Sequence, residues 1–303
     1  MQMVYDPEKL AQPPTVAYKV KGKKCYDPRD GTTAWTNNPA LIIRDYLSDS
    51  TYGMKAGSSE VNDTSNAGGF ASAANTCEQT VSSDTGGGSE KRYTTNGFTN
   101  MSASPDGVLE GFLSSCAGKI TYVNGKFNLF VGASQTPSLT ITDDKVLSPP
   151  SASTRPQSGE LYNTVKPIYV DASNNYTGTD GGVYQDSGFL TADTPTGESS
   201  ANYIKQLEVQ YPYTTTATMA DRLAKIALRH SRQTTQITLL TTLEFMKLQP
   251  QDWVYVTNER LGFTNKIFQV LSTNLEMIAD GDAVSYTHLR AHETRHDLVC
   301  RLL

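Results

Sequence analysis

The chain has 303 residues, 37% of them hydrophobic and 19% charged, with a formal net charge of -5. That length builds one large domain or two ordinary ones, and the negative balance excludes an overall basic field for nucleic acid or anionic membrane. No apolar run approaches the roughly 18 residues needed to span a bilayer, and the opening stretch lacks the apolar core of a signal peptide.

Abundant Gly, Tyr, Ser, Thr and Asn point to a β-rich, loop-rich protein. Cys25, Cys77, Cys116 and Cys300 are far apart and match no CxxC framework, so they read as reduced, structural thiols. Asn62, Asn100 and Asn175 begin N-x-[ST] triplets, which carry no weight without another sign of secretion.

The first unit runs from Lys21 to Gly53. Asp27-Pro28 and Asp30-Gly31 are turn signals. Asn38 caps a helix with Pro39 at its first position; Ala40, Leu41, Ile43 and Leu47 form the apolar stripe, and Gly53 lies past the end. Residues 54 to 90 read as a surface excursion with one weak helix through Phe70, Ala73, Ala74 and Cys77, then a flexible loop at 84–90. A second capped helix opens at Ser104-Pro105, buries Val108, Leu109, Phe112, Leu113 and Cys116, and ends at Gly118. Asn124-Gly125 between two alternating runs predicts a hairpin.

Residues 147 to 160 read as a Pro/Ser linker, and 161 to 210 as strands and long loops. An amphipathic helix in the stretch 213–233 is expected to bury Met219, Leu223, Ile226 and Ala227. Strands follow in "QITLLTT", "DWVYVT" and "KIFQVLSTNLEM". The alternation predicts an α+β, β-rich fold of mostly antiparallel sheets or small barrels with a few amphipathic helices.

Catalytic constellations are scarce. His230 lies near the end of the third strong helix, where a histidine complements the helix dipole. Asp143-Asp144 reads as a solvated turn rather than half of a carboxylate pair. Trp35 and Trp253 read as packing residues. Arg222, Lys225, Arg229 and Arg232 recur at helical spacing, giving a basic face for an acidic partner or for solvent.

At the C-terminus, His288, His292 and His296 recur every four residues, with Cys300 behind them. On a helix these would share one face and present zinc-type ligands. The segment has no cap and no consistent apolar stripe, and without a supporting hydrophobic face it cannot preorganise such a site. Val284–Thr294 and Asp297–Leu303 instead resemble, in frame and in order, translated sequencing-library adapters. On that reading residues 284–303 are an artefactual tail whose removal leaves folding unchanged, and no metal or other cofactor is expected.

Three blocks resemble a known family. They are "VKGKKCYDPRDGTTAWTNNPALIIRDYL", "RYTTNGFTNMSASPDGVLEGFLSSCAGKITYVNGKFNLFVGA" and the stretch from "ADRLAKIALRHSRQTTQITL" to "LQPQDWVYVTNERLGFTNKIFQV". In this order they are similar to the lambda-type tail tip attachment protein J family of long-tailed bacteriophages. The residues that carry the likeness are Asp27, Pro28, Trp35, Asn38, Pro39, Tyr46, Gly53, Tyr93, Gly97, Gly118, Asn124, Gly125, Asp252 and Gly262. Where that family usually has Gly-Asp, this chain has Gln251-Asp252, which leaves the turn type open.

The resemblance implies a baseplate-hub-like fold and a non-enzymatic, trimeric hub in the virion, at the host-facing end of the tail tube. Its partners would be copies of itself, other tail tip and tube proteins, and a host receptor reached through C-terminal modules missing from this chain. The expected divisions are a β hub domain truncated at 1–32, an α+β hub domain over 33–146, the linker at 147–160, and a β-rich hub domain over 161–283. The basic face of Arg222, Lys225, Arg229 and Arg232 is the candidate contact between copies. Two other classes compete. A tail-associated peptidoglycan hydrolase would clear suspensions of purified cell walls, and a carbohydrate-binding adhesin would select ligands on a glycan array.

Overall fold

The structure is a computed structural model, and it describes residues 18–83, 88–100, 102–153, 161–277 and 283–291. The first lobe opens with a hairpin, β1 (Lys24–Tyr26) and β2 (Thr33–Trp35). Its turn is held by Asp27, whose carbonyl accepts from Gly31 N–H at 2.9 Å. The Asp27 carboxylate also accepts from the Arg29 backbone N–H at 2.9 Å and from its guanidinium, which lowers the Asp27 pKa. α1 (Pro39–Ser48) starts as its residues dictate. Asn38 accepts from Ala40 N–H at 3.0 Å, Pro39 needs no donor, and the expected stripe is buried.

α2 (Phe70–Glu78) belongs to the core and not to a surface excursion. Its small residues let α1 approach closely, and Asn38 Nδ2 donates to Ala74 O at 3.0 Å. The glycine-rich loop beyond it is bounded by a second hairpin, β3 (Thr80–Ser82) with β4 (Ser89–Lys91). α3 (Pro105–Ser114) is capped by Ser104. It leads into β5 (Lys119–Val123) and β6 (Lys126–Phe130). Asn124 and Gly125 hold φ of 54° and 74°, the two left-handed positions of a type I′ turn. At the end of α3 the left-handed residue is Ala117 (φ 46°), while Gly118 is needed for space: a Cβ there would meet Cys116 Sγ at 2.8 Å.

The chain then runs through β7 (Leu139–Ile141) and β8 (Ser151–Ser153) into β9 (Thr164–Asp171). β10 (Thr177–Asp180) and β11 (Tyr184–Gln185) pair antiparallel with one side of β9. After α4 (Ser187–Asp193), β12 (Gln206–Tyr211) pairs parallel on its other side. α5 (Ala217–Ser231) covers this sheet, but its buried stripe is Met219, Ala220, Leu223, Ala224 and Leu228. Ile226 and Ala227 are half-buried, because the small Ala220 and Ala224 are what sit under the helix. Met219 and Leu223 join the first-lobe core, while Ala224 and Leu228 pack on Val165 of β9.

The remaining strands make a sheet ordered β7, β14 (Trp253–Asn258), β15 (Phe263–Met277), β16 (Ala283–Ala291), β13 (Gln236–Thr241), β8. β7 and β8 lie on one bent segment that tracks β14 and then β13. Ser138 N–H donates to Trp253 O at 2.9 Å, and Leu147 N–H to Leu240 O at 2.8 Å. The sheet therefore closes on itself as a small barrel. Ile141, Ile237, Leu239, Val254, Val256, Phe268, Val270 and Leu289 fill it, and Phe245 and Leu248 pack into the same core.

β8 lies within the first part of the 147–160 stretch, and the six-stranded sheet draws strands from both sides of it. Residues 283–291 are a strand paired on both edges. Ser285, Thr287, Leu289 and Ala291 point inward while Tyr286, His288 and Arg290 point outward, a period of two that a search for a helical stripe passes over.

Candidate functional site

The joint between the lobes is built around Tyr213, just after β12. Its ring is held at both edges by glycines. A Cβ on Gly97 would meet Cδ1 at 2.5 Å, and a Cβ on Gly111 would meet Cε2 at 2.6 Å. Tyr213 O accepts from Asn96 N–H at 3.0 Å, and its ring lies 4.8 Å from that of Phe112. Phe112 in turn meets Tyr46 edge-on at 5.6 Å. Tyr211, two residues earlier, is buried in the first-lobe core.

α5 fastens the same seam with polar bonds. Arg222 donates to Arg92 O at 2.6 Å and pairs with Glu90; Thr218 Oγ1 donates to Glu90 at 2.7 Å. At the other end of the helix, Arg232 pairs with Asp193 and donates to Tyr162 O. Lys225 lies 5.4 Å over the Tyr184 ring. Three of the four cations read as one basic face are thus engaged within the chain, and Arg229 is the exposed one. Tyr213, Gly111 and Glu90 were not legible as joint residues, nor was Asp193 as the partner of Arg232. The isolated glycine inside α3 was the available signal.

The remaining motif residues are structural in place. Gly53 lets the chain turn back over α1, where a Cβ would meet Tyr46 O at 1.9 Å. Tyr93 is fully buried and donates to Gly132 O, and burial pushes its pKa up. Gly262 holds φ 69° in the turn between β14 and β15. Trp253 is buried, but Trp35 is 42% exposed with Lys21 5.2 Å over its ring, so only one tryptophan packs as expected. Gln251 holds φ 82°, the left-handed conformation that glycine takes without strain. Asp252 beside it accepts from Gln249 N–H at 2.9 Å, and burial raises its pKa.

Chemistry has little to work with among the described residues. Asp143 accepts from Glu259 N–H at 2.9 Å and from Asn258, while Asp144 accepts from Thr142, so the two carboxylates hold different turns. Cys25, Cys77 and Cys116 are free and buried; burial raises Cys25 to about 11 and Cys116 to about 12. His288 Nδ1 lies 2.9 Å from Thr238 Oγ1, and no group of three ligating side chains gathers among the described residues. His292, His296 and Cys300 lie outside those residues, as do positions 84–87 of the glycine loop. Between α3, β5 and Gln251, Asp106, Glu110 and Lys119 rim a shallow trough. Burial lowers the Lys119 pKa, and the charge of Arg290 adds to the shift.

Residues 104–271 match the family model described as "putative phage tail protein". The chain belongs to this phage tail protein family. The matched region runs from the cap of α3 through Gly111, Phe112 and Tyr213 and into the barrel; Glu90, Asn96 and Gly97 of the seam precede it. Among solved structures, a chain from the virion of a native gene transfer agent particle shares the fold. That match has a TM-score of 0.53 at 10% identity, covering 83% of this chain and 46% of that one. A tail protein from Neisseria meningitidis MC58 aligns with a TM-score of 0.42 at 12% identity, covering 60% of this chain and 54% of that one. The prophage MuSo2 43 kDa tail protein from Shewanella oneidensis gives 0.42 at 12%, covering 66% and 54%. This phage tail protein spans about half the length of those solved chains. No curated protein matches the sequence. No helix among the described residues is long and apolar enough to cross a membrane.

Proposed function

We propose that this phage tail protein is a segment of the hub at the host-facing tail tip, of the lambda-type tip attachment class. It assembles in the virion as a non-enzymatic trimer with other tail proteins. The observation that carries the reading is the joint. The three sequence blocks that resemble the tip family fold onto one shared seam, with Leu223 of the later block, and Tyr211 and Met219 just before it, inside the core of the earlier ones. Lobes held together by side-chain packing and the part-buried Arg222–Glu90 pair suit a part of a fixed assembly. Support for a non-catalytic role comes from the carboxylates at 143 and 144, each committed to a separate turn.

Receptor engagement belongs, on this reading, to modules beyond the present chain. Immunogold labelling of phage particles with antibody against this chain tests the location. Gold at the free end of the tail is expected. Gold along the tube or at the head-proximal end would overturn the tip assignment.

A further inference from the structure

The four-stranded sheet under α5 ends on two bare edges. β12 and β10 each have β9 as their one sheet neighbour among the described residues, on opposite sides of it. Hydrogen bonds fix which residues face outward along each edge. Thr164 N–H donates to Lys205 O at 3.2 Å, so the odd-numbered residues of β12 address β9. Gln206, Glu208 and Gln210 therefore turn their N–H and C=O groups away from it. Gly181 N–H donates to Pro167 O at 2.8 Å, which by alternation turns Gly178 and Asp180 away from β9 on the other side. All five residues are exposed, and their outward backbone groups have no partner among the described residues.

β12 has neither a proline nor a bulge to keep another strand off. The two edges also fit each other. β12 runs parallel to β9 and β10 antiparallel to it. A second copy rotated about an axis along the strands therefore brings its β10 antiparallel to β12. Setting Glu208 opposite Gly178 and Gln206 opposite Asp180 keeps the two carboxylates from facing each other. Continued just past both strands, the same register lays Ile204, 48% exposed, opposite Gly182 and beside Val183, 57% exposed. Charge avoidance and apolar contact thus select one alignment.

We propose that β12 of one copy pairs with β10 of the next, carrying this sheet from copy to copy around the trimer. The inference rests on the trimeric reading above and names a surface for it, additional to the exposed Arg229. The contact is head-to-tail. Each copy gives one edge and receives the other, so a closed ring leaves neither bare. Main-chain bonds supply the affinity, and the alternate side chains set the register.

The test uses the full chain carrying Cys300→Ser, since Cys25, Cys77 and Cys116 are buried. Gly178→Cys fits because a Cβ there meets nothing within 4 Å. With Glu208→Cys in the same chain, oxidation by copper phenanthroline at high protein concentration should give covalent trimer on a non-reducing gel. Either single variant should stay monomeric on the gel, and Glu208→Cys with Asp180→Cys should crosslink at least fivefold less. In sedimentation equilibrium, Glu208→Pro, which removes an outward N–H, should weaken the trimer at least tenfold, while Glu208→Gln leaves it unchanged. Suppose the parent is trimeric. Then absence of covalent trimer, equal crosslinking of the two cysteine pairs, covalent dimer from a single variant, or an undiminished trimer in Glu208→Pro would each overturn the edge contact and leave the trimer reading standing. A parent that stays monomeric at every concentration would overturn both.

Discussion

The first lobe and the barrel are held by different kinds of interaction. In the lobe, side chains decide. Asn38 and Ser104 cap helices, Gly53 and Gly111 make room for close neighbours, and Tyr213 is gripped at both ring edges. In the barrel the backbone ladder carries more of the order, and it tolerates poor local choices: a left-handed Gln251 and unpartnered hydroxyls at Ser285 and Thr287. β16 is paired along both edges, so a misfitting strand there is still better than a gap. Changes that add bulk should therefore damage the lobe, while the barrel should offer substitutions that improve it.

The largest effect is expected from truncation after Ala283. It removes Leu289 and Ala291 from the barrel core and leaves β13 and β15 without their shared neighbour. Burying Leu289 alone is worth roughly 2–3 kcal/mol. A thermal melt followed by circular dichroism should fall by on the order of 10 °C. An unchanged melt would restore the reading of this segment as a tail outside the fold.

Gly111→Ala tests the lobe. In an open helix the change would gain about 1 kcal/mol. Here the new Cβ would lie 2.6 Å from Tyr213 Cε2, and Gly97 blocks the ring's retreat. Overpacking wins, with an expected net loss of about 2 kcal/mol in urea denaturation. A gain would mean that the grip on Tyr213 is loose.

Gln251→Gly should have the opposite sign. It relieves the left-handed backbone at φ 82° but gives up the bond from Gln269 Nε2, 3.0 Å long, and the conformational restraint of a side chain. The net gain expected is about 0.5–1 kcal/mol. A loss in the same denaturation assay would place the value of that residue in its side chain.

Acid separates the regions most finely. Asp49 is held down to about 2, first by Lys23 and then by backbone N–H groups of Tyr52 and Thr51; Asp27 is held down by Arg29. A depressed carboxylate stabilises above its unfolded pKa and loses that stabilisation as pH falls toward its folded value, here between about 4 and about 2. Asp252 runs the other way. Burial raises its pKa above 3.8, so its favourable contribution is present at low pH and is lost as pH rises through the folded value. Hydrogen exchange by mass spectrometry at pH 6 and pH 3, corrected for intrinsic rates, should show the β1–α1 region loosening while the 249–256 strand entry tightens. Asp252→Asn should abolish the second change, and its persistence in that variant would reassign it.

Much of the lobe was legible because its signals are local. Asn38-Pro39, Ser104-Pro105 and Asn124-Gly125 each specify a backbone conformation within a few residues, and each element formed where they stand. The joint was not legible, since Gly97 and Gly111 acquire their meaning only from Tyr213, about a hundred residues later in the chain. Barrel closure was equally hidden: β7 and β8 are three-residue strands with no periodicity of their own. For α5 the amphipathic pattern located the helix, but alanines and not Ile226 define the contact line. The basic face read from spacing alone is largely consumed by Glu90, Asp193 and Tyr184, partners that spacing cannot supply.

Those internal pairings bear on assembly. A hub closing the end of a tail tube must repeat one contact around an axis, and the proposed trimer requires a surface that the chain has not already used. Sedimentation equilibrium of the full chain over a wide concentration range addresses this directly. Monomer is expected at low concentration with a shift toward trimer at high concentration, the trimer being retained in Arg222→Ala and weakened in Arg229→Glu. A stable dimer would contradict the hub reading, because a two-fold contact does not build a three-fold ring.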